Sequence, residues 1–206
     1  MSDLFCAASV IVARHGEAEY DAPVASDDGG SLTLAGRRQA RQLGEWLRDR
    51  KVAAIWSSDM SRAVQTAEIA AAVLGVPVRV RPGLREFAVG DLKGEPLPSV
   101  HAVFAAWMRG DLSAGCPGAE TGYDVLRRFG DEMESLVDQF RGETVLVVSH
   151  GGAIGLSVPQ LAVNVPNDFA DGRLLEPCET VEALADADGW MLTRWADRTL
   201  PGRPAP

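Results

Sequence analysis

Ala8-Ser9-Val10-Ile11-Val12-Ala13 is an unbroken run of small and β-branched residues, and Arg14-His15-Gly16-Glu17 follows it at once. The run has the length and character of a strand buried on both faces. Further apolar runs of strand length occur at Ala53–Trp56, Val76–Val80 and Thr144–Val148, with helix-period segments between them. Strands that alternate with helices predict a parallel α/β sheet.

Working outward, one helix is predicted from Thr33 to about Arg50, with Ala40, Leu43, Trp46 and Leu47 on one face. A second starts near Asp59, capped by Ser58 or Asp59, and stops at Gly75-Val76-Pro77. In the third, Val125, Leu126, Phe129, Met133, Leu136, Val137 and Phe140 recur at helical spacing before Gly142. Between about residues 82 and 120, frequent Gly and Pro with one short helical piece at Val100–Met108 read as an insertion over the sheet edge, without a second core. Thr180–Leu184 and Trp190–Trp195 flank a turn-rich segment and read as a hairpin. Residues 1–199 are expected to form one domain, and 200–206 a disordered tail.

Composition narrows the function classes. A chain of 206 residues fits one core. Its net charge of -9 disfavours nucleic acid and anionic membranes as partners. No apolar run approaches the roughly 20 residues that span a bilayer, and Met1-Ser2-Asp3 does not open like a secretory signal. A cytoplasmic address is expected. Cys6, Cys116 and Cys178 are odd in number and lack C-x-x-C spacing, so they read as thiols without a disulfide or zinc role.

Chemistry concentrates at three strand ends: Arg14-His15-Gly16, Ser57-Ser58-Asp59-Met60-Ser61-Arg62, and Ser149-His150-Gly151-Gly152. In a parallel sheet these ends share one crevice. Guanidinium forks and helix N-termini both suit phosphate, so an acidic chain that gathers Arg14, His15, Arg62 and His150 there is building a small-anion site. His15 is the candidate nucleophile, because a neutral imidazole can attack phosphorus. Gly16 is expected to leave room for phosphate and to offer its backbone to orient the ring. Expelling an alkoxide also needs an acid. Glu86 is the best-placed carboxylate, although from spacing alone it reads as a solvated loop acid.

These segments resemble the histidine phosphatase superfamily that includes the cofactor-dependent phosphoglycerate mutases. The matching pieces are Arg14-His15-Gly16-Glu17, Leu32-Thr33 through Gln39-Ala40, Ser57-Ser58-Asp59 through Thr66-Ala67, Leu84-Arg85-Glu86 with Gly90 and Gly94, and Ser149-His150-Gly151-Gly152. They stand in the family's order over roughly three quarters of the chain. The resemblance implies a three-layer α/β/α sandwich with a mostly parallel central sheet, and phosphorylation of His15. It further implies a phosphate pocket of Arg14, Arg62 and His150, with Glu86 as proton donor and later acceptor. Thr33, Gln39, Gln65 and Thr66 also match, and are assigned capping and packing roles.

Where related chains often carry Trp-Asn, this one has Tyr20-Asp21. A carboxylate there repels phosphate, so Asp21 either points away or weakens contact on this side. The loop from Ala22 to Ser31 has two aspartates and no Lys or Arg, and thus supplies no cation for the second phosphate a mutase must hold. A phosphatase acting on a small phosphorylated metabolite, without cofactor or metal, is therefore expected. A mutase, a metal-dependent hydrolase and a phosphate-binding regulatory protein without turnover are the rivals. His101 reads as a surface or interface residue, Glu120 as a residue stabilised at a helix start, and Trp46, Trp56 and Trp107 as packing residues, Trp107 alternatively lining the substrate mouth.

Overall fold

Strand β1 (Ala8–Arg14) shows why the chain folds as it does: Val10 and Val12 point to one side of the sheet, Ile11 and Ala13 to the other, and all four are buried. The computed structural model describes residues 6–20, 24–27 and 29–202. A two-stranded pair, β2 (Ala18–Glu19) and β3 (Ser31–Leu32), follows β1, and then come α1 (Leu34–Trp46), β4 (Val52–Ser57), α2 (Ser61–Leu74) and β5 (Val78–Val80). The second half comprises α3 (Leu97–Met108), α4 (Gly122–Gln139), β6 (Thr144–Ser149), α5 (Gly151–Leu161), β7 (Thr180–Asp186), β8 (Gly189–Trp195) and β9 (Arg198–Thr199).

The main sheet has the order β5-β4-β6-β1-β7-β8-β9. The first four strands are parallel, and β7 to β9 extend the sheet in antiparallel fashion. Ile11, Ala13, Ile55, Leu146 and Val148 bury their face against α1 and α2. Val10, Val12, Trp56, Val145 and Val147 pack with Val125, Phe129, Met133, Ile154 and Leu156 of α4 and α5 on the opposite face. The expected sandwich, helices on both sides of a mixed and mostly parallel sheet, is the fold observed. Because β4, β6 and β1 are neighbours in register, with Arg14 opposite Ser149 and Ser57 opposite Val148, the three polar junctions lie side by side.

Several local expectations change. Helix α1 ends at Trp46 and a short 3-10 turn, Arg48–Arg50, carries the chain to Lys51 at φ 51. Trp46 is exposed with the Arg50 guanidinium over its ring, whereas Ala40, Leu43 and Leu47 are buried. Helix α2 is capped by neither Ser58 nor Asp59: its N-cap is Met60, and Asp59 pairs with Arg85. The insertion contributes α3, whose Trp107 and Met108 join the main core, and Val89 and Val100, which form a small satellite cluster with Ala25. The hairpin is the β7–β8 pair, and it docks on β1. Leu200, assigned to the tail by sequence, is buried and its N–H donates to Thr193 O, because β9 draws it onto the core. Residues 203–206 lie outside the described residues, as does Asp21.

Candidate active site

As β1 ends at Arg14, its neighbour His15 turns into the crevice and is nearly buried, at 5% exposure. His15 Nδ1 lies 2.7 Å from Gly16 O. A carbonyl only accepts, so Nδ1 carries the proton and Nε2 keeps its lone pair. Arg62 Nε donates to that Nε2 at 3.2 Å. Gly16 therefore orients the ring as expected, but the space it leaves is taken by protein: a Cβ on Gly16 would lie 2.7 Å from Gly36 O, and one on Gly36 would lie 2.0 Å from Glu17 O. The loop is tied further where Gly16 N–H donates to Thr66 Oγ1, Glu17 N–H to Gln39 Oε1 and Leu32 N–H to Gln65 Oε1. Thr33 caps α1. Thr33 thus caps as anticipated, while the other three residues hold loop backbone.

A cavity of about 540 Å³ opens over His15, with Arg14, Arg62, Glu86, Gly151 and Gly152 around its polar end. Arg14 Nη1 donates to Leu175 O at 2.6 Å, and its buried Nε has no protein partner. Arg62 Nη1 donates to Gly29 O. His150 sits behind this floor and does not line the cavity: it is fully buried, its ring centroid is 5.1 Å from that of His15, and its Nε2 is 2.8 Å from Ser58 Oγ. His150 Nδ1 is buried without a partner.

Glu86 is far from a solvated acid. Its carboxylate accepts from Gly152 N–H (2.9 Å), Ala153 N–H (2.7 Å) and Phe87 N–H (3.1 Å). It thereby caps α5, where the helix dipole favours a negative charge. The N-terminal amides that sequence reasoning reserved for phosphate are thus shared with this carboxylate.

Burial dominates the electrostatics. Loss of solvent, assisted by the Arg62 and Arg14 cations and opposed by the bond to Gly16 O, lowers the pKa of His15 from 6.5 to about 3. Burial, with Arg62 and His15 beside it, holds His150 well below the usual histidine range. Both rings are neutral at physiological pH.

Sequence reasoning missed a clamp on the Glu86 loop. Arg128, on α4, donates from Nη1 to Gly83 O and Arg85 O, and from Nη2 to Glu86 O. Glu120 holds Arg128 in a two-pronged pair at 2.8 Å and accepts Ala88 N–H. Glu120 is thus an ion-pair partner, and the cap of α4 is Thr121 in a capping box with Asp124. Trp107 lies behind the cavity wall, edge-on to Phe87 and Phe104, and its indole N–H donates to Ala114 O. His101, expected at a surface or interface, is exposed and stands at the cavity mouth. Among the described residues, no group of three or more His, Cys, Asp or Glu side chains is arranged to hold a metal, and no disulfide joins the cysteines.

The site defines a class, and comparison with known families agrees: the profile of the histidine phosphatase superfamily (branch 1) matches residues 10–198. The chain belongs to that superfamily. It is 29% identical over 199 residues to phosphoglycerate mutase-like protein 4 of Arabidopsis thaliana, an alignment covering 92% of this chain and 85% of the relative. Mycobacterial glucosyl-3-phosphoglycerate phosphatase superposes with a TM-score of 0.79 at 25% identity, covering 92% of this chain and 99% of that one. The α-ribazole phosphatase of Shigella flexneri shares the fold, with a TM-score of 0.75 at 20% identity over 95% of this chain and all (100%) of its own.

Proposed function

We propose that this chain is a metal-independent phosphatase that hydrolyses a small phosphomonoester through a phosphohistidine on His15. The observation that carries this reading is the unprotonated His15 Nε2, held by the Nδ1 bond to Gly16 O at the base of an open cavity beside Arg62. Nε2 attacks phosphorus in line, forming the N–P bond as the ester P–O bond breaks. Arg14 and Arg62 neutralise the phosphoryl oxygens. Where the Ser58 hydroxyl donates its hydrogen bond to His150 Nε2, the ring proton of His150 is on Nδ1, and Arg14 Nε, at the cavity and without a protein partner, gains an acceptor when phosphate binds. A buried donor left unpaired costs about 1–3 kcal/mol.

The departing alkoxide takes a proton from the Glu86 carboxyl group. Water then attacks the phosphohistidine, the N–P bond breaks, and the water proton passes to Glu86. Arg14 and Arg62 are the only cations among the described lining residues, and both serve a single phosphoryl group. That distribution favours hydrolysis over the mutase reaction implied by the name of the Arabidopsis relative. The expected cytoplasmic address accords with a phosphorylated metabolite as substrate.

Rapid quench with labelled p-nitrophenyl phosphate is expected to trap an acid-labile, base-stable phosphoprotein, and His15→Ala to abolish both label and turnover while remaining folded. Label on serine or aspartate, or retained activity, refutes the nucleophile assignment. Efficient interconversion of monophosphoglycerates would place the chain among mutases.

A further inference from the structure

The cavity has two chemically different ends. Away from His15 its wall is Val24, Val89, Leu97, Val100, Phe104 and Leu174. Helix α3 supplies three of them, Leu97, Val100 and Phe104, at positions i, i+3 and i+7, which form one face. Further along the same face, Trp107 and Met108 enter the main core, with Phe104 packed against it. One apolar face of α3 is therefore divided along its length: its C-terminal end is consumed by folding, and its N-terminal end borders the cavity. Leu97 and Leu174 are 42% and 46% exposed at the cavity although both are large and apolar. Exposed apolar surface gains nothing from the fold alone, and inside a concave site it is what a ligand covers.

Charge on this wall points the same way. Beyond the phosphate end, the acidic and basic residues described at the cavity are Asp27 and His101, with the phenol of Tyr20. Asp21, Ala22, Pro23 and Asp28, which adjoin these residues in sequence and lie outside the described residues, include no Lys or Arg. A carboxylate or second phosphate on the alcohol part would find no Lys or Arg there, only the His101 imidazole, and would lie close to Asp27. The cavity volume, about 540 Å³, falls within the range of small-molecule sites.

We infer that the alcohol part of the substrate is an apolar alkyl or aryl group without a second negative charge, packed against the α3 face and Leu174. Its description as a substrate group rests on the phosphatase reading of the same site.

Binding to the wall is measurable without turnover. Calorimetric titration with hexylphosphonate and with 5-carboxypentylphosphonate compares nearly isosteric ligands that differ in one charge. The neutral chain is expected to bind at least about tenfold tighter. From ethyl- to hexylphosphonate, affinity is expected to rise about fourfold per methylene, the fold-change that corresponds to ~0.8 kcal/mol of burial. Leu97→Arg, at an exposed position that tolerates the change, is expected to shift the hexyl-to-carboxypentyl ratio at least tenfold toward the acid. Equal affinities, preference for the acid, or binding of neither phosphonate by a protein that binds vanadate overturns the inference. If the phosphonates bind as expected and no alkyl or aryl phosphate is hydrolysed, the apolar subsite stands and the phosphatase reading fails. Hydrolysis with 3-phosphoglycerate preferred over phenyl phosphate has the reverse meaning.

Discussion

Replacing Arg128 by methionine removes one guanidinium from five bonds: three to the carbonyls of Gly83, Arg85 and Glu86 and two to Glu120. Each charge-assisted bond contributes about 1.5–3 kcal/mol net, but the two side chains of the ion pair are 22% and 20% exposed, so water recovers part of the loss. A destabilisation of about 3 kcal/mol is expected, which for a chain of this size lowers Tm by about 6–12 °C. The larger consequence is kinetic. The clamp fixes the backbone that aims Glu86 at the start of α5, and a displacement of ~1 Å at a reacting group costs about 10²-fold. Arg128→Met is therefore expected to lower kcat/KM for an alkyl phosphate about 10²-fold, and much less for p-nitrophenyl phosphate, whose leaving group needs little protonation. Arg128→Lys keeps the charge opposite Glu120 without the planar fork, and should fall between Arg128→Met and the wild type. Steady-state kinetics with both esters, beside thermal unfolding, decide the matter. Equal losses for the two substrates, or a lower Tm with unchanged alkyl-ester turnover, would show that the clamp supports the fold and does not position the acid.

Glu86→Ala is expected to lower kcat/KM for alkyl esters by about 10²-fold or more, with a distinctly smaller loss for p-nitrophenyl phosphate; equal losses would send the search for a proton donor elsewhere. Stability should depend on pH through the buried histidines. His15 has a folded pKa of about 3 against a reference of 6.5, so below pH ~6.5 the unfolded chain binds the extra proton and stability falls as pH drops toward 3, by up to about 1.4 kcal/mol per unit for each such histidine. His150 acts in the same direction. Urea unfolding between pH 7.5 and 5 measures this slope, and His15→Ala should flatten it; an unchanged slope in that variant would contradict the burial argument.

Contiguity decides what the sequence makes legible. The three polar junctions are each an apolar strand followed within a few residues by Arg or His, so Arg14, His15, Arg62 and His150 were readable together, and adjacent parallel strands brought them side by side. Depth was not readable. Both His150 and Arg14 sit at strand ends, yet one is enclosed behind His15 and the other lines the cavity. Glu86 read as a loop acid because its three N–H partners come from its own neighbour and from a helix 66 and 67 residues away. Arg128 gave no signal, since its acceptors are backbone carbonyls of a remote loop and Glu120 is eight residues off, outside the i,i+4 spacing of helix pairs. Trp46 misled because, at 100° per residue, it lies about 60° beyond Leu43, at the margin of the apolar stripe.

The close packing of Gly16 on Gly36, and of Gly36 on Glu17, bears on how such a protein can change. With backbone against backbone at both glycines, a side chain added at Gly16 or Gly36 would jam the chain. The α3 wall has the opposite character at Leu97, which is exposed and can vary in size and charge without disturbing the sheet. Inheritance can thus keep the reaction fixed while the choice of alcohol drifts, and a mutagenic library confined to that wall should yield new specificities at high frequency, whereas one spread over the strand ends should yield mostly dead protein.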